Sequence, residues 1–383
     1  MNKASALQQW LDRHREAMVA SLGALVAHES PSTDKASLDH LSALLEGVWL
    51  GLEADVEVIE NPERGNHLRI VVGGSLQTGE IQPGVILGHF DTVWPVGTTA
   101  RRPMTVEGGR AMGPGTFDMK AGLVIAEYAV RAIRELKLAL PRPIVLLLNS
   151  DEEIGSGTSR ALIEEAASEA AYVLVLEPAV PGGALKTARK GVGDFTVKVV
   201  GRASHAGAAH NEGVNAIEEL AHQVLRIQHM TDYVVGTTAN VGVIEGGTRP
   251  NVVAAYARAE VDVRAWTREE ADRISAAIRG LHPVNPDTVI SVSGGFDRYP
   301  MERTPGTVAL FETARRLGQE MGLELTEQAS GGASDGNFTA ALGIPTLDGL
   351  GAVGDGAHAE HEYVEVASLP QRAALLAALL CDL

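Results

Sequence analysis

Three short apolar segments, each ending in polar residues, constrain the fold of this chain more than any other feature. The segments are GVILG (84–88), PIVLLL (143–148) and YVLVLEP (172–178), and helical patterns over 119–138 and 158–170 separate them. Continuous apolar runs that alternate with helices are typical of parallel strands buried on both faces. The predicted fold class is therefore α/β, a mostly parallel sheet flanked by helices.

A second pattern begins near residue 190, where apolar and polar residues alternate. Alternation predicts strands with one solvated face, and with the intervening helices the element order is β-α-β-β-α-β, typical of a ferredoxin-like unit. The sequence thus predicts a discontinuous α/β domain over 1–190 and 300–383 and an inserted α+β domain over 191–299. The other predicted elements are helices over 4–28, 36–51, 213–230 and 267–281, and strands over 53–59, 67–73, 193–201, 237–247, 252–265 and 288–294.

Composition limits the classes of protein that this chain can belong to. A length of 383 residues favours two domains, and a formal net charge of −17 disfavours nucleic acid and anionic membranes as partners. The only cysteine, Cys381, allows neither a disulfide framework nor a thiolate zinc site. With no apolar run of membrane-spanning or signal-peptide type, the sequence predicts a cytoplasmic protein.

Polar residues with metal-binding side chains interrupt the apolar pattern where strands and sheet-edge loops end. In parallel α/β sheets, bound molecules and ions lie at the carboxyl ends of the strands. We therefore expect these side chains to lie close together. Imidazole and carboxylate groups without cysteine suit Zn²⁺, Co²⁺ or Mn²⁺. The residues are His89, Asp91, Asp118, Asp151, Glu152, Glu153, Glu177, and either His358 or His361.

The acidic run DEE at 151–153 is the most informative of these signals, because three adjacent carboxylates repel one another. Divalent cations would neutralise them, with one glutamate as a ligand and the other as the general base of a two-metal hydrolytic site. Asp91 follows His89 by two residues, lies on the same face of a strand, and is expected to orient the imidazole.

Each of these signals also has a purely structural interpretation. A lone His-x-Asp is common, paired glutamates often begin a helix, and Glu177 before Pro178 fits an ordinary loop. The Gly/Pro-rich segment before Asp118 fits a simple turn. The metal-site prediction depends on four such signals occurring together at strand ends or sheet-edge loops.

The motifs resemble, in order, those of one metallopeptidase family. That family contains glutamate carboxypeptidase of the glucarpidase type, acetylornithine deacetylase, succinyl-diaminopimelate desuccinylase and aminoacylase, and the resemblance spans roughly residues 5–382. It implies a zinc-exopeptidase-like catalytic domain and an inserted ferredoxin-like domain that forms a homodimer. The motifs are GHFDTVWPVG, GPGTFDMKAG, LNSDEEIGS, VLEP, GRASHAGA, TRPNVV, VDVR, SGGASDGNF and HAEHEYV.

The resemblance implies a role for each site residue. Asp118 would bridge two zinc ions, with Co²⁺ or Mn²⁺ as alternatives, and Glu152 would be the general base. His205 would reach the partner's active site and help to polarise the scissile carbonyl. His358 is preferred to His361 because three residues separate it from a Glu-Tyr pair, which is the family's spacing. The remaining ligands would be His89 and Glu177 for one ion and Glu153 and His358 for the other, with Asp91 orienting His89.

The likeness is greatest to the glutamate carboxypeptidase branch. There, Arg264 and Asn251 stand at positions that bind the substrate's C-terminal carboxylate, and Gly332 lies in a segment whose backbone amides would approach the substrate. A strand-end salt bridge is the structural alternative for Arg264. Arg249 departs from that branch, where smaller residues stand, so the preferred side chain of the substrate stays open.

The sequence therefore predicts a homodimeric, cytoplasmic di-zinc amidohydrolase. It would release a C-terminal amino acid, glutamate or similar, from an N-acyl amino acid or short peptide. The alternatives are an N-acyl-amino-acid deacylase or dipeptidase of the same family, an enzyme with a single zinc ion, and a non-catalytic binding homologue.

Overall fold

The computed structural model describes residues 3–74 and 81–383. The α-helices are α1 (Lys3–Arg13), α2 (Arg15–Ala27), α3 (Lys35–Leu50), α4 (Thr98–Arg101), α5 (Ala121–Glu135), α6 (Arg160–Ser168), α7 (Ala216–Gln228), α8 (Arg268–Arg279), α9 (Pro305–Glu320), α10 (Gly336–Ala341) and α11 (Ser368–Leu380). The strands are β1 (Asp55–Ile59), β2 (His67–Val72), β3 (Gly84–His89), β4 (Thr105–Glu107), β5 (Arg110–Met112), β6 (Ile144–Asn149), β7 (Tyr172–Val175), β8 (Leu185–Arg189), β9 (Gly191–Val200), β10 (Thr238–Gly246), β11 (Tyr256–Ala265), β12 (Val289–Arg298), β13 (Glu327–Ser330), β14 (Thr346–Leu347), β15 (Gly354–Asp355) and β16 (Tyr363–Glu365).

The α/β fold class is confirmed, and the main sheet is mixed. Its strand order is β1-β2-β6-β3-β7-β14, and the pairings β6–β3, β3–β7 and β7–β14 are parallel. The pairings β1–β2 and β2–β6 are antiparallel. The link between β1 and β2 holds no helix, and a short link returns the chain antiparallel, whereas a parallel neighbour needs a crossover connection.

The central strands bury both faces, as their continuous apolar sequences predict. Ile86 and Leu146 point into a core shared with α5 and α11, whereas Val85 and Leu147 point into a second core with α6 and Phe338. Burial on both faces holds β3, β6 and β7 in register, so that their carboxyl ends lie at one edge of the sheet.

The chain divides into two compact units. The first extends to Thr187 and includes Arg303–Ser330 and Ser334–Leu383, and the second comprises Ala188–Glu302 and Gly331–Ala333. The second unit has an antiparallel sheet of order β10-β11-β9-β12, with α7 and α8 packed on it around residues such as Val197, Val261 and Ile274. Its element order is β-α-β-β-α-β, as in a ferredoxin-like unit.

Several predicted elements differ from the observed ones. The helix predicted over 4–28 is two helices, because the chain leaves helical geometry at His14, whose ring stacks on Trp10 and whose Nδ1 lies 2.8 Å from the Trp10 carbonyl. The strand predicted over 172–178 ends at Val175. Among the described helices, none has both the length and the apolar composition of a membrane span.

Candidate metal centre

Asp118 lies between two histidines, with one carboxylate oxygen facing each. Its Oδ1 is 3.3 Å from His89 Nε2, and its Oδ2 is 3.3 Å from His358 Nε2. On the His89 side, Glu177 Oε1 is 3.5 Å from the same Nε2. On the other side, Glu153 Oε2 is 2.9 Å from His358 Nε2. The arrangement offers two adjacent His–carboxylate sets that share Asp118.

Five different segments bring these side chains together. His89 ends β3, Glu153 lies in the 3₁₀ turn Glu152–Ile154 after β6, and Glu177 follows β7. Asp118 lies just before α5, where its peptide bond to Met119 is cis. His358 follows β15 with a left-handed φ of 62°. The structure thus brings together the side chains that the sequence predicted to meet at strand ends and sheet-edge loops.

The side chains fit a divalent metal ion. In the described part of the chain, His89 Nε2, Asp118 Oδ1 and Glu153 Oε1 are buried and make no hydrogen bond of good geometry. The groups His89–Glu152–Glu177 and His89–Asp118–Glu153 each offer ligand atoms within 4.8 Å of one another. Buried imidazole and carboxylate donors without a thiolate match the preferences of Zn²⁺, Co²⁺ and Mn²⁺. Glu152 is therefore as close to a ligand set as Glu153.

The electrostatics of the site favour positive charge between the carboxylates. Hydrogen bonds with Asp118 and Glu153 raise the pKa of His358 to about 10. Burial raises the pKa of Glu153 to about 7, against the opposing effect of its hydrogen bond with His358. Burial acts against ionisation of Asp118, but the hydrogen bond with His358 and the adjacent imidazole of His89 outweigh it and lower the pKa of that carboxyl. A divalent cation supplies the same positive charge when the imidazoles are neutral.

Asp91 connects His89 with the acidic turn. The carboxylate is fully buried, and its Oδ1 lies 3.3 Å from His89 Nδ1. It also accepts the backbone N–H groups of Glu152 at 3.2 Å and Glu153 at 3.1 Å, and the hydroxyl of Ser32 at 2.7 Å. The contact with His89 follows from the i, i+2 spacing. The sequence does not predict the contact between Ser32 and Asp91, because the two residues lie far apart in the chain.

Asp151 points away from the metal-binding side chains, which separates the charges of the acidic run. Its Oδ2 accepts the backbone N–H and the hydroxyl of Thr158, both at 2.7 Å, and its Oδ1 accepts the hydroxyl of Ser159 at 2.6 Å. These contacts satisfy the buried carboxylate and hold the start of the turn. Of the three adjacent carboxylates, only Glu152 and Glu153 belong to the metal-binding groups.

The other predicted site residues lie in the second unit. Arg264 Nη2 is 2.7 Å from Asp262 Oδ2 in the same strand, which is the salt bridge foreseen as its structural alternative. The Gly332 carbonyl accepts a hydrogen bond from Arg189 Nη1 at 3.0 Å. The Asn251 carbonyl accepts the backbone N–H of Ala206 at 3.0 Å.

The imidazole of His205 is exposed and has a defined tautomer. Its Nδ1 accepts the backbone N–H groups of Gly207 at 3.1 Å and Ala208 at 3.0 Å. A neutral imidazole whose Nδ1 accepts hydrogen bonds carries its proton on Nε2. His205 therefore presents an N–H donor from a hydrogen-bonded turn. The turn lies beside Asn251, because His205 and Val252 form a β-bridge.

Comparison with known proteins identifies the family of this chain. The model of Peptidase family M20/M25/M40 matches residues 85–382. The chain belongs to the M20 peptidase family. Carboxypeptidase G2 of Pseudomonas sp. (strain RS-16) is 33% identical over 304 residues, covering 78% of this chain and 73% of that protein. Acetylornithine deacetylase of Myxococcus xanthus is 27% identical over 281 residues, covering 69% and 71%.

Solved structures of two peptidases share the fold. The aminopeptidase PepT from Bacillus cereus superposes with a TM-score of 0.79 at 23% identity, covering 96% of this chain and 98% of that one. A dinuclear metal-binding M20 peptidase from Bacillus subtilis gives 0.71 at 13% identity, covering 97% and 98%. The predicted family membership and hydrolase class are confirmed: the chain is an M20 metallopeptidase-family hydrolase.

Proposed function

We propose that this M20 protein uses two metal ions to release a C-terminal amino acid, glutamate or a similar residue, from an N-acyl or peptidyl substrate. The observation that carries the proposal is the position of Asp118, with one carboxylate oxygen 3.3 Å from each of two histidines. In this proposal Asp118 would bind both ions. His89 and Glu177 would complete the first site, and Glu153 and His358 the second. Zinc suits the donor set, as do Co²⁺ and Mn²⁺.

The protein groups divide the catalytic work between them. The bound ions would supply Lewis acidity for the scissile carbonyl and lower the pKa of water. Glu152 takes the proton of the attacking water at its carboxylate and delivers it to the leaving amine. The hydrogen bond from its backbone to Asp91 supports this role, because it holds Glu152 beside the ligands of the first site. Asp91 keeps the His89 ring in its ligating orientation.

His205 is proposed to donate a hydrogen bond from Nε2 to the carbonyl oxygen of the substrate. Its tautomer supports this role, because both backbone contacts go to Nδ1. Charge that develops on that oxygen in the transition state would strengthen the bond. In the proposed homodimer, His205 comes from the partner subunit.

The apolar surface of the second unit supports a homodimer formed through this unit. β10 lies at one edge of its sheet, and its residues Val243 and Ile244 are exposed. On the neighbouring helix α7, Ile217 and Leu225 are also exposed, the latter by 60%. An edge strand with exposed apolar side chains is an open surface for pairing with a second chain.

The substrate's C-terminal carboxylate is proposed to bind Arg264, with Asn251 and Gly332 alongside. A planar guanidinium pairs with a carboxylate in a bidentate manner. Asp262 now occupies the Arg264 fork, so the substrate carboxylate would have to displace it. Similarity to carboxypeptidase G2 at 33% identity favours a substrate of this kind.

We also propose a cytoplasmic location, for which the support is a sequence with one cysteine and no disulfide framework.

The proposal is tested by amino-acid release from a panel of N-acyl amino acids and dipeptides, with and without chelator. The panel varies the C-terminal residue and pairs each free acid with its C-terminal amide. We expect chelator-sensitive release from free acids only, fastest for glutamate or a similar residue. Equal cleavage of the amides would remove Arg264 from its role. No release from any substrate, with or without added metal, would favour a non-catalytic binding protein.

The same panel separates a second candidate function. Acetylornithine deacetylase is among the relatives of this chain, at 27% identity, which favours the alternative of an N-acyl-amino-acid deacylase. Such an enzyme would prefer small acyl groups over peptidyl groups. A dipeptidase would instead require the free amino group of a dipeptide. The dependence of the rate on the acyl side of the scissile bond therefore decides among the three reactions.

A further inference from the structure

Glu362 is buried near the metal-binding side chains, and its carboxylate accepts hydrogen bonds from four N–H groups. Its Oε1 accepts the backbone N–H groups of Phe117 at 2.8 Å and Asp118 at 3.1 Å. Its Oε2 accepts the backbone N–H of Gly115 at 2.8 Å and the indole N–H of Trp94 at 3.0 Å. An ionised carboxylate has about four lone-pair sites, and each is occupied here. Glu362 thus fixes the backbone of the loop that carries Asp118.

Arg102 holds the chain that follows His358. Its guanidinium lies 4.0 Å above the Trp94 ring, and its Nη1 donates to the carbonyl of Glu360 at 2.6 Å and more distantly to that of Ala359. His358 has a left-handed φ, a conformation that a non-glycine residue keeps only when its surroundings hold it. Arg102 is part of those surroundings.

The segment that supplies Trp94 and Arg102 is itself anchored. The carboxylate of Glu29 accepts the backbone N–H groups of Gly97 at 2.6 Å and Thr99 at 2.7 Å, and also the Thr99 hydroxyl at 2.9 Å. These contacts lie between Trp94 and Arg102 in the chain. The two side chains therefore project from a fixed support.

We propose that Trp94, Arg102 and Glu362 form a clamp that holds His358, a ligand of the second ion, in position relative to Asp118, which serves both ions. The inference rests on the proposed two-metal function. Glu362 follows His358 by four residues and bonds to the Asp118 loop, so one side chain sets the distance between the two ligand-bearing segments. Trp94 joins Glu362 to Arg102, and Arg102 joins Trp94 to the segment after His358. The three side chains are positioning residues, which act through the ligands.

The clamp acts more strongly on the second ion than on the first. At the first site, His89 ends a central strand that pairs with β6 and β7, and its ring is held by Asp91. At the second site, His358 is half-exposed and lies in a loop. Loss of the clamp would leave His89 and Glu177 in place while His358 drifts from Asp118 and Glu153.

The test is a Co²⁺ titration of the metal-free protein, followed by visible absorption and by calorimetry. The wild type is expected to bind two ions. In Glu362→Gln the isosteric amide offers one acceptor oxygen in place of two, so two of the four donors face an NH₂ group. We expect the second ion to bind about 10–100-fold more weakly, the usual effect of removing a partner of the ligands. The first ion, which shares only Asp118 with the clamp, should be weakened much less.

The matched control is Glu360→Gln, which makes the same substitution two residues earlier, at an exposed side chain. It should bind both ions as the wild type does. The variant Trp94→Phe tests the same clamp more gently, because it removes the indole donor but keeps a ring beneath Arg102. For it we expect about ten-fold weaker binding of the second ion, from loss of one hydrogen bond to a charged acceptor.

The results separate this inference from the function on which it rests. A wild type that takes up no Co²⁺ would contradict the proposed function. If the wild type binds two ions, and Trp94→Phe and Glu362→Gln bind both ions with wild-type affinity, the clamp is wrong. The two-metal proposal stands in that case. If Glu362→Gln does not fold, Trp94→Phe decides: wild-type affinity for the second ion would overturn the clamp. Equal weakening of both ions in either variant would also overturn it.

Discussion

Asp91 Oδ2 accepts the backbone N–H of Glu153 at 3.1 Å, while Oδ1 of the same carboxylate lies 3.3 Å from His89 Nδ1. One buried side chain thus joins a ligand at the end of β3 to the turn after β6. The relationship couples the orientation of the His89 ring to the position of the acidic turn. A change at Asp91 is therefore expected to disturb both at once.

The variant Asp91→Asn tests this coupling. An amide keeps the shape of the side chain but turns one acceptor into a donor, which faces a backbone N–H or the imidazole. We expect kcat to fall about 10–100-fold, together with weaker binding of metal. The measurements are steady-state kinetics and metal content after gel filtration. Ser32→Ala removes only one hydroxyl donor to Asp91 and should have a much smaller effect. Equal effects of the two variants would contradict the coupling.

Adjacent glutamates with different roles give a second prediction. Glu153 Oε2 is 2.9 Å from His358 Nε2, whereas Glu152 groups with His89 and Glu177. We expect Glu152→Gln to lower kcat about 10²–10⁴-fold with two metals retained, as for loss of a general base. Glu153→Gln should instead lose affinity for one ion. Each isosteric variant is the control for the other. Metal-free Glu152→Gln protein would mean that the two roles are reversed.

The sequence alone predicted the side chains that meet at the sheet edge, because strand ends carry a clear signal. An apolar strand that ends in His89 or Glu177 can place those residues only at its carboxyl end. Contacts between loops carry no such signal. The four donors around Glu362 come from segments far away in the chain, and three of them are backbone groups, which no side-chain pattern marks. The same holds for Ser32 beside Asp91.

The Arg264 side chain shows a different limit of sequence analysis. Two interpretations fitted the sequence, a substrate ligand and a strand-end salt bridge. The structure contains the salt bridge with Asp262, two residues away on the same face of the strand. A pairing of that kind does not exclude exchange with a substrate carboxylate, because the two acceptors have the same chemistry. Proximity in sequence could predict the pair, but not whether a substrate displaces it.

The buried imidazole of His67 gives a prediction about pH. Burial lowers its pKa, against the opposing effect of Asp151, Asp91 and Asp335. Its Nδ1 accepts the backbone N–H of Ser150 at 3.2 Å, which requires the neutral ring. Since the folded pKa lies below the unfolded value of about 6.5, the stability supplied by neutral His67 is complete above that pH and is lost as the pH falls below it.

The measurement is urea unfolding of the wild type and His67→Gln between pH 5 and 8, at one fixed metal concentration. Glutamine does not titrate, so the stability advantage of the wild type should shrink below about pH 6.5, by at most ~1.4 kcal/mol per pH unit. His40→Gln, at an exposed histidine, should keep the pH dependence of the wild type. A constant difference between wild type and His67→Gln across this range would contradict the prediction.

The proposed position of His205 in the partner's active site can be tested by combining two inactive subunits. A heterodimer of Glu152→Gln and His205→Ala would contain one site with both residues intact, if His205 acts across the interface. Each homodimer should be nearly inactive, because every site lacks one of the two groups. The purified heterodimer should recover about half of the wild-type activity, since a two-fold symmetric dimer has two equivalent sites.

The control is a heterodimer of Glu152→Gln and Asp91→Asn, obtained with the same two affinity tags. Asp91 contacts the turn of Glu152 within one chain, so the two residues belong to the same site. Each site of this heterodimer carries one of the two defects, so its activity should stay far below half of the wild-type value. The heterodimer of Glu152→Gln and His205→Ala, by contrast, keeps one intact site through exchange between the subunits. A second control carries His205→Ala on the same chain as Glu152→Gln and pairs that chain with a wild-type subunit. There each site should lack one group, and activity should be nearly absent. Half activity from that pairing, and none from the separated variants, would assign His205 to the active site of its own chain.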